Sequence, residues 1–328
     1  MSPRLAVRHA GAGAIGRSRD ALDGAGGPGG TASRTLLPPP SAWRQASAGV
    51  VRQRDVGAGH RWLDLQLPRG FPPPVAGQFV QLLLESPSPV FLPRPMSVAG
   101  ALATPRGPVL GFLYEPVGIG TQALAGLITG ERVGVLGPLG RGFPRDVPGT
   151  PVLVAGGRGV APLLFAAGMF ARAGRRCEFL FGARDARHLV ALPEARERLD
   201  RMGGRLHLAT DDGSRGLRGT VVDLLDRIAP HLPAPRVIHA CGPHAMLAAV
   251  ARWAMRHRMP AYLAMESVMA CGTGVCRGCP LPRSEAARAR LARHRDRIPS
   301  LYGSPEFAMC CTDGPVFAAE DLDWERVE

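Results

Sequence analysis

Two hydrophobic patterns divide the chain. Between residues 47 and 148 the apolar runs are short: Val50-Val51-Arg52-Gln53 and Trp62-Leu63-Asp64-Leu65-Gln66-Leu67 alternate with polar positions, and Phe79–Leu84, Val109–Tyr114 and Glu131–Leu136 continue the set. Gly and Pro punctuate them, and this spacing predicts a small antiparallel β-barrel. From residue 149 the pattern changes. Pro151–Ala155 is an unbroken apolar run, as in a parallel strand buried on both faces. A glycine-rich turn, 156–162, and an apolar helix, Leu163–Ala173, follow it. The same order then recurs. Strands over Cys177–Gly182, Arg205–Thr210 and Arg236–Ala240 precede helices within Leu189–Met202, Thr220–Ala229 and His244–Arg256. This predicts an open α/β parallel sheet over 149–256, with ligands at the C-terminal ends of its strands.

The two ends of the chain carry neither pattern. Residues 1–46 are Gly-, Ala-, Arg- and Pro-rich, with no periodic apolar positions, and are expected to form a disordered extension. Residues 257–328 hold five of the seven cysteines, an Arg-rich stretch with helical propensity over 284–297, and an acidic tail. The formal charge of +13 raises the question of nucleic acid. Every basic residue is Arg, and residues 1–46 and 281–297 together supply +8 of that charge (twelve Arg against three Asp and one Glu). No aromatic residues interleave with them as a single-strand groove requires, so a solvated basic surface is expected instead. No run of 18 apolar residues free of charges or breakers is present, so no membrane helix is expected. Cysteines in ligand spacing rather than a disulfide framework suit a reducing cytoplasm.

Chemistry concentrates at Cys271, Cys276 and Cys279, spaced C-x4-C-x2-C, with Cys310-Cys311 further on. That spacing is the plant-type arrangement for a 2Fe-2S cluster. Gly272, Gly274 and Gly278 let the backbone bend around the sulfurs. A structural zinc site also takes four cysteines, but more often as two C-x2-C pairs. Arg94-Pro95-Met96-Ser97 suits a phosphate or a flavin edge. Gly118-Ile119-Gly120-Thr121 opens a short helix, either as an anion site or simply with Thr121 as its cap. Gly156-Gly157-Arg158-Gly159-Val160-Ala161-Pro162 lies where a dinucleotide turn belongs, without the strict G-x-G-x-x-G string. Cys177 reads as packed core. Tyr114 fits either core packing or a flavin ring.

These segments occur together with Gly137-Pro138-Leu139-Gly140, Thr210-Asp211-Asp212-Gly213-Ser214, Cys241-Gly242-Pro243 and Cys311-Thr312-Asp313-Gly314-Pro315-Val316-Phe317. In that order the chain resembles the electron-transfer subunits of NAD-dependent (type B) dihydroorotate dehydrogenases, in the ferredoxin-reductase superfamily, over about residues 47–325. The resemblance implies an FAD-binding β-barrel over 47–148, an NAD-binding α/β domain over 149–256 and a 2Fe-2S module over 257–328. It implies that Arg94, Pro95, Met96 and Ser97 contact the flavin and its phosphates, and that Gly120 and Thr121 hold the FAD pyrophosphate. Gly157, Gly159, Val160, Asp211, Cys241, Gly242 and Pro243 would form the nicotinamide-nucleotide side. Cys271, Cys276, Cys279 and Cys311 would ligate iron.

The partner it implies is an FMN-containing dihydroorotate dehydrogenase catalytic subunit, in a heterotetramer serving pyrimidine synthesis. Electrons would pass from dihydroorotate through FMN to the cluster, then FAD, then NAD+. Three departures stand out: the extension at 1–46, the 31 residues between Cys279 and Cys311, and the neighbouring Cys310. Cys311 is taken as the fourth ligand from its distance to Asp313-Gly314-Pro315. Related subunits with the same cofactors serve hydrogenases, sulfide dehydrogenases and ferredoxin:NADP oxidoreductases. A zinc-stabilised, nucleotide-sensing module is the alternative of another class. NAD against NADP stays open, since Arg184 and Arg187 suit a 2′-phosphate and Asp185 opposes one.

Overall fold

The computed structural model describes residues 43–85, 90–293 and 304–327; the expected extension up to residue 42 and the end of the Arg-rich stretch, 294–297, lie outside them. Alternating residues build the first sheet. Its strands are β1 (Arg44–Asp55), β2 (Arg61–Gln66), β3 (Phe79–Leu84), β4 (Arg94–Ser97), β5 (Gly100–Thr104), β6 (Gly107–Tyr114) and β7 (Arg132–Leu139). They run in the order β4-β3-β7-β1-β2-β6-β5, every pairing antiparallel. Leu63, Leu65, Leu110, Phe112, Val133 and Val135 fill the inside of the curl, and Trp62 is buried on the opposite face.

The sheet curls without closing into the expected barrel, because the end strands β4 and β5 do not pair. The chain turns a corner between them instead. Val98 donates to Gln78 O at 3.1 Å and Ala99 to Gly111 O at 2.8 Å, so two residues bridge the two edges. β1 begins at Arg44, ahead of the expected boundary at 47, and pairs there with Gly137 of β7.

The second sheet has the order β11-β10-β9-β8-β12-β13-β16. Its strands are β8 (Thr150–Gly156), β9 (Glu178–Ala183), β10 (Arg205–Thr210), β11 (Leu217–Arg218), β12 (Arg236–Cys241), β13 (Ala261–Ala264) and β16 (Val316–Ala318). All pairings are parallel except β16 on β13. The helices are α2 (Val160–Arg172), α3 (Leu192–Arg201), α4 (Val221–Ile228) and α5 (His244–Arg256). α2 starts at Val160, three residues before the expected Leu163, because Gly157–Gly159 is already a tight helical turn.

The last segment is not a separate module. β13 and β16 complete the nucleotide sheet, and only β14 (Pro280–Pro282) and β15 (Phe307–Met309) pair apart from it. α6 (Glu285–Arg293) lies between those two strands in sequence. A buried ion pair ties this hairpin back, with Arg283 Nη2 3.0 Å from Asp313 Oδ2. The two sheets also share a core. α2 residues Leu163, Phe165 and Phe170 pack in one cluster with Leu113 and Tyr114. Arg198 of α3 lies 4.8 Å over the Trp62 ring and donates to Ala99 O at 3.2 Å, while Arg54 pairs with Glu194. These contacts hold the first sheet against α2 and α3 of the nucleotide domain.

Candidate functional site

A cleft of about 250 Å³ lies where the curled sheet, the parallel strand ends and the cysteine segment meet. Pro95, Met96 and Ser97 of β4 form one wall, with Tyr114 at the end of β6 and Glu115 just beyond it. Ala161, Pro162 and Cys241 come from the parallel sheet, and Glu266, Met269 and Pro315 from the cysteine side. Short β4 brings its residues here because it is an edge strand paired only to β3.

The phosphate-type features stand at the rim. α1 (Ile119–Gly126) begins after Gly118, and Thr121 lines the cleft. Thr121 is the third helical residue rather than the cap. Its Oγ1 accepts from Gly118 N at 3.2 Å, bonding the backbone N–H of the capping position. Arg94 lies against Gly120, where a Cβ would fall 2.5 Å from its Nε, so only glycine lets the guanidinium approach the helix start. Arg94 Nη1 donates to Leu92 O at 2.9 Å.

The glycines at the ends of β8 and β12 make a second cradle. A Cβ on Gly159 would meet Cys241 O at 2.0 Å, and one on Gly242 would meet the Gly156 Cα at 3.1 Å. The turn leading into α2 therefore lies directly on the end of β12. Nothing lies within 4 Å of a Cβ built on Gly157, whose φ of +51° is left-handed. Its backbone faces open space beside the α2 N-terminus, which favours an anion. Val160 is fully buried beneath this turn. Pro243 precedes α5 and packs against Gly156. Asp211 is exposed after β10, two strands from β8, and does not line the cleft.

Burial sets the chemistry of the inner wall. It pushes the Cys241 thiol well above its ordinary value, which keeps the sulfur neutral, and it raises the Tyr114 hydroxyl likewise. Tyr114 OH donates to Gln53 Oε1, so this ring belongs to the core while one edge faces the cleft. Cys177 is packed core, its thiol pushed up to about 12 by burial.

The four candidate ligands come together as two pairs. Cys271 and Cys276 Sγ lie 3.3 Å apart, as do Cys279 and Cys311 Sγ. Both separations are far beyond a disulfide bond of ~2.05 Å. Backbone N–H groups of Thr273, Cys276, Gly278 and Cys311 each point at one of these sulfurs from 3.4 Å. Partial burial opposes ionisation of Cys271, but the hydrogen bonds from Cys276 and Thr273 outweigh it and bring the thiol to about 6. The hydrogen bond from Cys311 brings Cys279 to about 7 against its burial, while donating to that thiolate holds Cys311 high.

Cys310 faces away, fully buried, with Met265 O 3.7 Å from its sulfur. Asp313 explains the turn: its Oδ2 accepts from Met309 N at 2.8 Å and from Arg283, closing the chain around Cys310 and Cys311. No three His, Cys, Asp or Glu side chains among the described residues gather on a single metal-ion position. The thiols stand instead as two pairs.

Several site residues carry no signal of their own in the sequence. Arg158 Nη1 reaches Glu115 Oε2 at 2.7 Å across the cleft mouth. Arg158 sits within a motif read for its glycines, and Glu115 follows a strand without any pattern of its own. Phe79, Met269 and Pro315 reach the cleft only because β3 and the cysteine turn are adjacent.

The profile of the oxidoreductase NAD-binding domain matches residues 153–252, from β8 to α5. Curated relatives include the electron transfer subunit of dihydroorotate dehydrogenase B (NAD(+)) from Desulforamulus reducens, 32% identical over 254 residues, covering 76% of this chain and 87% of the relative. The Listeria monocytogenes subunit of the same name is 33% identical, covering 75% and 86%. Among solved structures, an NADH-dependent reduced ferredoxin-NADP oxidoreductase superposes with a TM-score of 0.70 at 24% identity over 90% of this chain and 92% of its own. An Amycolatopsis cytochrome P450 reductase superposes at 0.55 with 27% identity, over 70% of each chain. The fold is thus that of the ferredoxin reductases, and the chain belongs to the family of electron transfer subunits of dihydroorotate dehydrogenase B.

Proposed function

We propose that this chain carries electrons between a dihydroorotate-oxidising, FMN-containing catalytic subunit and NAD+, as the electron-transfer half of a cytoplasmic heterotetramer in pyrimidine synthesis. The observation that carries this reading is convergence: β4, the Gly159–Cys241 contact and the cysteine segment border one cleft. FAD and a 2Fe-2S cluster, when bound, supply the interconversion of two-electron hydride and one-electron chemistry.

The residues fit both groups. Two thiol pairs, each within reach of backbone N–H donors, suit a binuclear rhomb with two thiolates per iron better than one zinc tetrahedron. Cys271, Cys276, Cys279 and Cys311 would hold it, and Cys310 would not. Pro95, Met96 and Ser97 would hold the flavin edge. Arg94, Gly120 and Thr121 would take its phosphates at the start of α1. The open backbone of Gly157, with Gly159 and Val160 at the start of α2, would take the dinucleotide pyrophosphate. Gly242 and Pro243 would border it, and Asp211, exposed at the sheet edge, would meet its far end. Cys241, neutral and buried, would exclude water from the nicotinamide side.

No helix among the described residues is long and apolar enough to cross a membrane. The test is the visible spectrum of anaerobically purified protein before and after NADH, with iron and sulfide assays and co-purification of the partner. Flavin and cluster bands that bleach with NADH support the reading; a colourless protein holding one zinc overturns it.

A further inference from the structure

Gln81 is fully buried on β3, yet its Oε1 has no hydrogen-bond partner. Its Nε2 lies 3.5 Å from the carbonyl of Ala270, the residue before Cys271. Gly272, the residue after Cys271, packs over the same amide. A Cβ there would fall 2.8 Å from Gln81 Nε2 and 2.9 Å from its Cγ. The backbone on both sides of the first cysteine therefore rests on this one side chain. Residues i and i+2 of a strand share a face, so Gln81 points the same way as Phe79, which lines the cleft. One face of β3 thus runs from the cleft to the Cys271 loop. A half-satisfied buried amide is costly, and a leucine here would avoid that cost. Packing alone gives no reason for glutamine at this position.

We infer that Gln81 is a positioning residue for the Cys271 loop, its amide holding residues 270–272 against the curled sheet so that the backbone N–H groups of Thr273 and Cys276 stay on the Cys271 sulfur, 3.4 Å away. This rests on the reading of the four thiols as a 2Fe-2S site. N–H dipoles beside an anionic cluster favour its reduced form, so by seating the loop that presents Thr273 N and Cys276 N to the first sulfur the side chain raises the reduction potential.

The test uses the full chain with its cofactors. Iron and sulfide in the unaltered protein come first. Fewer than about two of each per chain would overturn the cluster reading, and this inference with it, before any variant is made. Gln81→Leu and Gln81→Glu are then titrated, following the cluster by EPR and the flavin by absorbance. The expected result for Gln81→Leu is about a tenfold loss in the one-electron equilibrium for cluster reduction, or ~59 mV, with altered g-values and an unmoved flavin potential. Gln81→Glu shifts it further the same way, because it adds negative charge. An unchanged cluster potential and EPR spectrum in Gln81→Leu would overturn the inference. Should Gln81→Leu not fold, an unchanged potential in the near-isosteric Gln81→Glu would do the same.

Discussion

Gly159→Ala probes the junction on which the cleft depends. The new Cβ would lie 2.0 Å from Cys241 O, 2.3 Å from Cys241 C and 2.8 Å from Gly242 N, against an ordinary contact starting at about 3.4 Å. All three obstacles are main chain, so no side chain can swing aside, and the turn must retreat from β12 by more than an ångström. Overpacking of this kind typically costs 1–3 kcal/mol, and rigid main chain on the far side places this case near 3 kcal/mol. At that cost the thermal midpoint falls by roughly 6–12 °C. Gly157→Ala is the matched control. Its Cβ meets nothing within 4 Å, but its φ of +51° carries a left-handed penalty of about 1–2 kcal/mol. The assay is urea unfolding of both variants beside the unaltered protein, with NADH affinity by fluorescence titration. Gly159→Ala should lose more stability than Gly157→Ala, and both should bind NADH more weakly than the unaltered protein. Equal losses, or the reverse order, would refute the steric account.

Three further outcomes are expected. Cys311→Ala should lose its iron while Cys310→Ala keeps it, because only the Cys311 sulfur faces Cys279; iron analysis of the two proteins decides this. Removing either partner of the buried Arg283–Asp313 pair should cost about 3–5 kcal/mol, whereas Arg283→Met with Asp313→Leu should cost far less than the sum, as a double-mutant cycle in urea would record. His239 is fully buried among Phe143, Phe170 and Tyr262, its ring nitrogens unbonded, and burial lowers its pKa to about 3. The folded value lies below the unfolded one, so the unfolded chain binds the extra proton. This contribution to stability is complete above about pH 6.5 and falls by ~1.4 kcal/mol per unit as pH drops toward 3. His239→Phe should flatten that slope in urea midpoints measured from pH 7 to pH 4.

Much of the fold can be read from local pattern, since period two and the strand–turn–helix order reflect side-chain direction along a single element. The strands at β2 and β7 follow period two, and the units from β8 to α5 follow the strand–turn–helix order. β4, β5 and β13–β16 do not. They are three to five residues long, too short to show a period, and are strands only because a neighbour supplies their hydrogen bonds. The same reason explains the sheet that curls without closing: which edges pair is a long-range choice made at Val98 and Ala99.

The sequence by itself determined the types of chemistry present: cysteines in cluster spacing, glycines where backbone must approach backbone, and a family resemblance carried by their order. Tertiary structure decided which of them meet. Adjacent Cys310 and Cys311 are equivalent by spacing, yet Asp313 and Arg283 turn one sulfur toward Cys279 and the other into the core. Gln81 and Glu115 are unremarkable as letters and matter because segments far apart in the chain meet beside the Cys271 loop and at the cleft mouth. Spacing records only distance along the chain, whereas packing sets distance through space.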